Sequence, residues 1–166
     1  MIPISKPHIF PSSIKYILNV LNSKILTDGH FQKITESTIK KKLKSNFVAV
    51  THSCSAALEI SAILINLKPG DEVIIPSYGF VSIANAIIMR GAKPVFVEVN
   101  SKTLNICTKD IIKQINKKTK AIYIIHYAGN ACDMNELIKI KNKYKLYLIE
   151  DAAHSFLGKY NNKSLG

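Results

Sequence analysis

Asp151 stands in the run Leu148-Ile149-Glu150-Asp151-Ala152-Ala153-His154, at the end of a strongly apolar stretch. A carboxylate in that place could pair with a protonated ring nitrogen and hold the nitrogen positive. Judged without its neighbours, the same aspartate reads first as a helix N-cap ahead of Ala152-Ala153. His154 would share a side with Asp151 if a helical turn begins here, although a lone histidine is more often structural or exposed than catalytic. A second candidate is Ser53-Cys54-Ser55-Ala56-Ala57-Leu58, where small side chains let backbone N–H groups and a helix start approach an anion. A tight strand-to-helix turn with a serine cap accounts for those residues equally well. In Pro76-Ser77-Tyr78-Gly79-Phe80 the Phe80 ring could stack on a flat cofactor, with core packing as the plain alternative. Gly79 beside it marks a backbone that needs freedom or close approach. No GxGxxG, GxxxxGK[ST], GxSxG or HExxH pattern occurs, which removes the commonest nucleotide, hydrolase and zinc-protease readings.

The elements that must position these residues follow one rhythm of short apolar strand, turn and amphipathic helix. Ahead of it lies a helical prelude, residues 1–45, in which Pro11-Ser12-Ser13 starts a helix carrying Ile14, Ile17, Leu18 and Leu21 at helical spacing. Thr27-Asp28-Gly29 breaks it, and Phe31 to Leu43 forms a second helix with Lys40, Lys41 and Lys42 outside. Strands are predicted at Phe47–Val50, Glu72–Ile75, Pro94–Val99, Ala121–Ile125 and Leu146–Ile149. Helices are predicted at Ser55–Leu64, Phe80–Met89, Thr108–Ile115 with Thr108 as its N-cap, and Met134–Lys143, with Gly91 closing the second of these. Continuous Val/Ile runs mean strands buried on both faces, hence an α/β fold with a parallel sheet covered by helices. In such sheets a ligand lies beyond the carboxyl ends of the strands. That rule selects His52-Ser53, Ser77-Tyr78, His126-Tyr127 and Asp151.

Length and composition narrow the classes further. The 166 residues are 47% hydrophobic and 20% charged, which excludes wholesale disorder, a collagen-like repeat and a disulfide miniprotein. The net charge of +12 invites a nucleic-acid reading, yet 22 of the 23 basic residues are Lys and only Arg90 is Arg. Arg is favoured for bidentate phosphate and guanine contacts, so a dedicated nucleic-acid surface would use more of it. Ile (26) and Asn (13) are also plentiful, and with Lys they share AT-rich codons, so the charge reads as composition drift over solvated faces. Cys54, Cys107 and Cys132 form no CxxC pair and have no His at ligand spacing, so neither disulfides nor a metal site is expected. No signal peptide or apolar run of spanning length occurs, and a cytoplasmic protein is expected.

Taken together, the stretches SCSAALE, LKPGDEVIIPSYGFVS, GAKPVFVEV, KTKAIYIIHYAG and LYLIEDAAHSFLGKYNNKSLG resemble the pyridoxal-phosphate-dependent sugar aminotransferases of the DegT/DnrJ/StrS type. The resemblance runs from Met1 to Gly166. It implies that residues 46–166 form the N-terminal part of the large domain of a type I pyridoxal-phosphate transferase. It implies further that Ser55 and Ala56 hold the cofactor phosphate, that Phe80 stacks on the pyridine ring, that Asp151 binds the pyridinium nitrogen as a catalytic group, and that His154 lies near the phenolic oxygen. Cys54 stands where the family commonly has Gly, and Gly79 where it commonly has Thr.

The activity so implied is transfer of an amino group from glutamate to a nucleotide-linked 4-keto-6-deoxy sugar. The biosynthetic setting is cell-surface polysaccharide of the enterobacterial common antigen type, and the enzyme is a homodimer when full length. The family's Ser-Phe segment and Schiff-base lysine fall beyond the Asp151 motif and past Gly166, so these residues alone are expected to be inactive. A truncated or decayed gene product without catalysis is the alternative, and a basic nucleic-acid-binding module stands well behind both. Neither a nucleic-acid nor a membrane partner is expected.

Overall fold

The structure, a computed structural model, describes residues 6–166, so the opening Met1–Ser5 lie outside the described residues. The chain divides into two compact units, Met1–Val50 and Thr51–Gly166. The first holds α1 (Pro11–Ser23) and α2 (His30–Leu43), with Pro11 in the first turn of α1, where its missing N–H costs nothing. The Tyr16 ring of α1 meets the Phe31 ring of α2 edge-on at 5.6 Å. Ile14, Ile17, Leu18 and Leu21 keep the expected helical spacing, but each remains more than half exposed.

No strand forms at Phe47–Val50, contrary to the sequence expectation. A β-prone run becomes a strand only where a neighbouring strand takes up its backbone groups. Here side chains take them instead: Ser45 Oγ donates to the Phe47 carbonyl at 2.7 Å, and the Glu36 carboxylate accepts the Val50 N–H at 3.2 Å.

The second unit is an α/β layer structure, as expected. Its strands β1 (Glu72–Pro76), β2 (Lys93–Val97), β3 (Thr119–Ile125) and β4 (Tyr147–Asp151) form one parallel sheet in the order β2-β1-β3-β4. Helices α3 (Cys54–Leu64), α4 (Ser82–Ile88), α5 (Thr108–Gln114) and α6 (Met134–Tyr144) cover it. Successive strand residues point to opposite faces, and the core divides accordingly. Val73, Ile75, Ala121, Tyr123 and Ile125 pack with Leu58 and Ala62 of α3 and Ile83 and Ile87 of α4. Ile74, Ile122 and Ile124 pack on the other face with Ile111 of α5 and Leu137 and Ile140 of α6. Burying a side chain of this size is worth about 1.5–3 kcal/mol, so the sheet is anchored from both sides.

Local signals set the boundaries. Gly91, at φ +71, ends the turn after α4, and a side chain there would press on the Pro69 ring. Thr108 is not the cap of α5: Cys107 has the extended backbone of a cap, and its carbonyl accepts the N–H groups of Asp110 and Ile111 at 3.1 Å each. Beyond β4, the short strands β5 (Lys159–Tyr160) and β6 (Lys163–Ser164) pair antiparallel around Asn161-Asn162, whose positive φ values of 48° and 62° suit a tight hairpin. Lys159 and Lys163 are exposed on it, as the surface-turn reading expects. No helix among the described residues is long and apolar enough to cross a membrane.

Candidate active site

Strand β1 has β2 on one side and β3 on the other, so the strand order reverses between β1 and β3, where a parallel sheet opens a crevice at its carboxyl edge. The residues that follow these strands meet there. Tyr78, after β1, and Tyr127, after β3, bring their hydroxyls to 3.1 Å and their rings to 5.1 Å. The Tyr127 ring also meets His154 edge-on at 6.1 Å. The hydrogen bond with Tyr78, and then burial, hold the Tyr127 phenol above its ordinary pKa.

A cavity of about 400 Å³ opens at this edge, lined among others by Cys54, Ser55, Phe80, Ser82, Asp151 and His154. At its anion-ready end, α3 begins with Ser53 as N-cap, whose Oγ accepts the Ala56 N–H at 3.1 Å. The Ala56 amide is therefore engaged, while the Cys54 and Ser55 N–H groups donate to no described residue. Ser55 Oγ on α3 lies 2.7 Å from Ser82 Oγ, which opens α4. Two hydroxyls and a helix start converging on one point make a cradle for a phosphate-sized anion.

At the other end, Asp151 is the last residue of β4 and 8% exposed. Its Oδ1 accepts the Ala153 N–H at 3.0 Å and the Cys54 thiol at 3.7 Å. Oδ2 takes a hydrogen bond from no described residue, which leaves an acceptor at the cavity wall for a cationic donor. The helix-cap reading of Asp151 is not what forms: residues 152–154 make a turn, and no helix follows. His154 nevertheless lines the same cavity.

Of the residues singled out in the sequence, Ser55, Phe80, Asp151 and His154 are brought together, whereas Ala56 is buried with its amide spent on the cap. Phe80 lies ahead of α4 rather than within it and is 72% exposed, so nothing in the core claims its ring. Tyr78 and Tyr127 join the site, but His52 is exposed and ends no strand. His126 is fully buried and leaves the site altogether. Its Nδ1 accepts the Cys132 N–H at 3.1 Å, and its Nε2 lies 2.9 Å from the Glu150 carboxylate. Burial would push the Glu150 carboxyl up, but hydrogen bonds from His126 and the Gly166 N–H outweigh it and set it below its ordinary value. Ser82 went unnoticed in the sequence, although a serine opening the helix after Ser77-Tyr78-Gly79-Phe80 is a signal of its own. At Gly79 the fit is tight: an added Cβ would collide with the Ile125 side chain, so the glycine lets Ile125 wall the cavity.

The arrangement suits a planar aromatic ring carrying an anionic group on one side and a basic nitrogen on the other. The sequence model of the DegT/DnrJ/EryC1/StrS aminotransferase family matches residues 7–166. GDP-perosamine synthase of Vibrio cholerae is 32% identical over 167 residues, covering 100% of this chain and 46% of that protein. The X-ray structure of the aminotransferase from Psychrobacter cryohalolentis superposes with a TM-score of 0.93 at 28% identity, over 99% of this chain and 42% of that one. E. coli GDP-4-keto-6-deoxy-D-mannose-3-dehydratase with bound hydrated PLP gives 0.91 at 29% identity, over 99% and 44%. The chain thus spans less than half the length of the curated relatives it matches, 43% and 46% for two of them.

Proposed function

The chain belongs to the DegT/DnrJ/EryC1/StrS aminotransferase family, and from that premise we propose that the whole protein transfers an amino group to a nucleotide-linked 4-keto-6-deoxy sugar. The cofactor is pyridoxal phosphate. When bound, it supplies an electron sink at the carbon that gains or loses the amine.

The observation that carries this reading is Asp151. This carboxylate is only 8% exposed, and one of its oxygens takes a hydrogen bond from no described residue at a cavity with an anion cradle. That oxygen would hold the proton of the ring nitrogen and so keep the sink positive. Ser55, Ser82 and the Cys54 and Ser55 N–H groups, which donate to no described residue, would fix the phosphate, with Ala56 securing the turn through its capping bond. Phe80, exposed at the cavity, would cover one face of the ring, and His154 would stand near the phenolic oxygen.

Glutamate as amino donor, a homodimer, a cytoplasmic setting, and neither a nucleic-acid nor a membrane partner belong to the same proposal. So does the division into a helical segment, 1–45, and the N-terminal part of the large domain, 46–166. A Schiff-base lysine carried by the whole protein, beyond the Asp151 motif, completes it. The finer reading is a TDP-linked substrate giving TDP-4-amino-4,6-dideoxygalactose. It rests on the opening MIP and on SYGFVSIANAIIMRGAKPVFVEV, which look most like that transaminase.

The test is a half-reaction in the whole protein. Glutamate should convert the bound aldehyde form of the cofactor to its amine form, read as loss of the long-wavelength absorbance. A nucleotide-linked 4-keto-6-deoxy sugar should then restore it. Absorbance that glutamate leaves untouched contradicts the transaminase reading. A choice between TDP- and GDP-linked sugars in the second step decides the finer one.

A further inference from the structure

Cys54 opens α3 and lines the same cavity as Asp151, and its thiol is the one side-chain donor that reaches the carboxylate among the described residues. The two come from segments 97 positions apart, and the contact ties the start of α3 to the end of β4. Oδ1 is thereby held from two directions, by the Ala153 N–H and by Sγ–H, while Oδ2 is left open. A carboxylate rotates about its terminal torsion over a broad range unless its oxygens are tied. With Oδ1 tied twice, that rotation is stopped in one orientation.

We propose that Cys54 is a positioning residue of the cofactor pocket: its thiol locks Asp151 so that Oδ2 alone faces the ring nitrogen. The inference rests on the cofactor reading above. Held so, the carboxylate needs no reorganisation when a cationic nitrogen arrives, which is the condition under which a buried charge acts most strongly. The thiol does not act as a nucleophile here. Burial first, then the charge and hydrogen bond of Asp151, hold its pKa above the ordinary value, so it stays protonated as a donor. Tyr78, Tyr127 and His154 are the other titratable groups at this cavity, and none is hydrogen-bonded to Cys54.

Two measurements on the whole protein test the proposal. The first needs no cofactor: the iodoacetamide alkylation rate of Cys54 against pH, localised by peptide mass mapping. The midpoint should fall in Asp151→Asn, where the opposing charge is gone; an unchanged midpoint overturns the contact. The second is a pyridoxal phosphate titration. Cys54→Ala should weaken binding about two- to tenfold, the span of one net hydrogen bond, and Cys54→Ser, which keeps a donor, should recover part of it. Cys54 sits at an exposed helix start, so circular dichroism melts should match wild type in both variants. Wild-type affinity in Cys54→Ala overturns the positioning role while leaving the cofactor reading intact. A wild-type protein that fails to bind pyridoxal phosphate overturns both, even with the alkylation shift in place.

Discussion

Glu150 and Asp151 are adjacent carboxylates at the end of one strand, and the pleat sends them to opposite faces of the sheet with opposite outcomes. On the α5–α6 face, Glu150, His126 and Cys132 close a network in which both imidazole nitrogens are occupied and the ring is fully buried. On the α3–α4 face, Asp151 is more buried than Glu150, yet one of its oxygens takes a hydrogen bond from no described residue beside a cavity. What sets the two faces apart is saturation. A polar group with every hydrogen bond filled holds the sheet edge together; one with an open valence is available to a ligand.

Substitutions should separate the two faces cleanly. Asp151→Asn should lower amino transfer by the whole protein on the order of 10²- to 10³-fold, the usual range for losing a preorganised electrostatic partner. Its thermal unfolding should change little, which calorimetry checks. His126→Ala should do the reverse. It strands the Cys132 N–H and takes one of two hydrogen-bond donors from the Glu150 carboxylate, and should cost about 2–3 kcal/mol in urea unfolding while pyridoxal phosphate affinity stays near wild type.

Ser82→Ala, on the site face, should weaken pyridoxal phosphate about two- to tenfold but leave unphosphorylated pyridoxal unaffected, a ratio that isolates the hydroxyl cradle. The smallest effect is one of pH. The Glu150 carboxyl is lowered in the fold, so the unfolded chain binds its proton more readily. The stability it contributes is complete above the ordinary carboxyl range near pH ~4.3 and is lost as pH falls through the lowered folded value. Glu150→Gln should therefore flatten the acid limb of the stability curve. Cys132, pushed up to about 12 chiefly by burial, acts at the other end: its contribution is complete below the ordinary thiol pKa and is lost as pH rises toward the folded value. Cys132→Ala should flatten that alkaline limb.

Much of this was legible in the residues. Apolar runs such as Val73-Ile74-Ile75 and Ala121 to Ile125 announced a parallel sheet covered on both faces, and the carboxyl-edge rule led to Tyr78, Tyr127 and Asp151. Composition cannot report who satisfies whom. His126 ends a strand as Asp151 does, but Cys132 and Glu150 fill both of its ring nitrogens. The family resemblance assigns Ala56 to the cofactor phosphate, but only the fold shows that its amide is bonded to the Ser53 hydroxyl. The Phe47–Val50 run had strand propensity but no partner, because pairing is a tertiary fact. The Ser55–Ser82 hydroxyl pair joins positions 27 apart, and only the packing of α3 beside α4 brings it together.

Whether Asp151 keeps the cofactor's ring nitrogen protonated is read by nitrogen NMR of the whole protein loaded with ring-¹⁵N pyridoxal phosphate. A pyridinium signal should persist at pH values where the free cofactor has lost its ring proton, and should revert to neutral pyridine in Asp151→Asn. A neutral pyridine signal in the wild type, or a pyridinium signal equally persistent in Asp151→Asn, would contradict that role for Asp151.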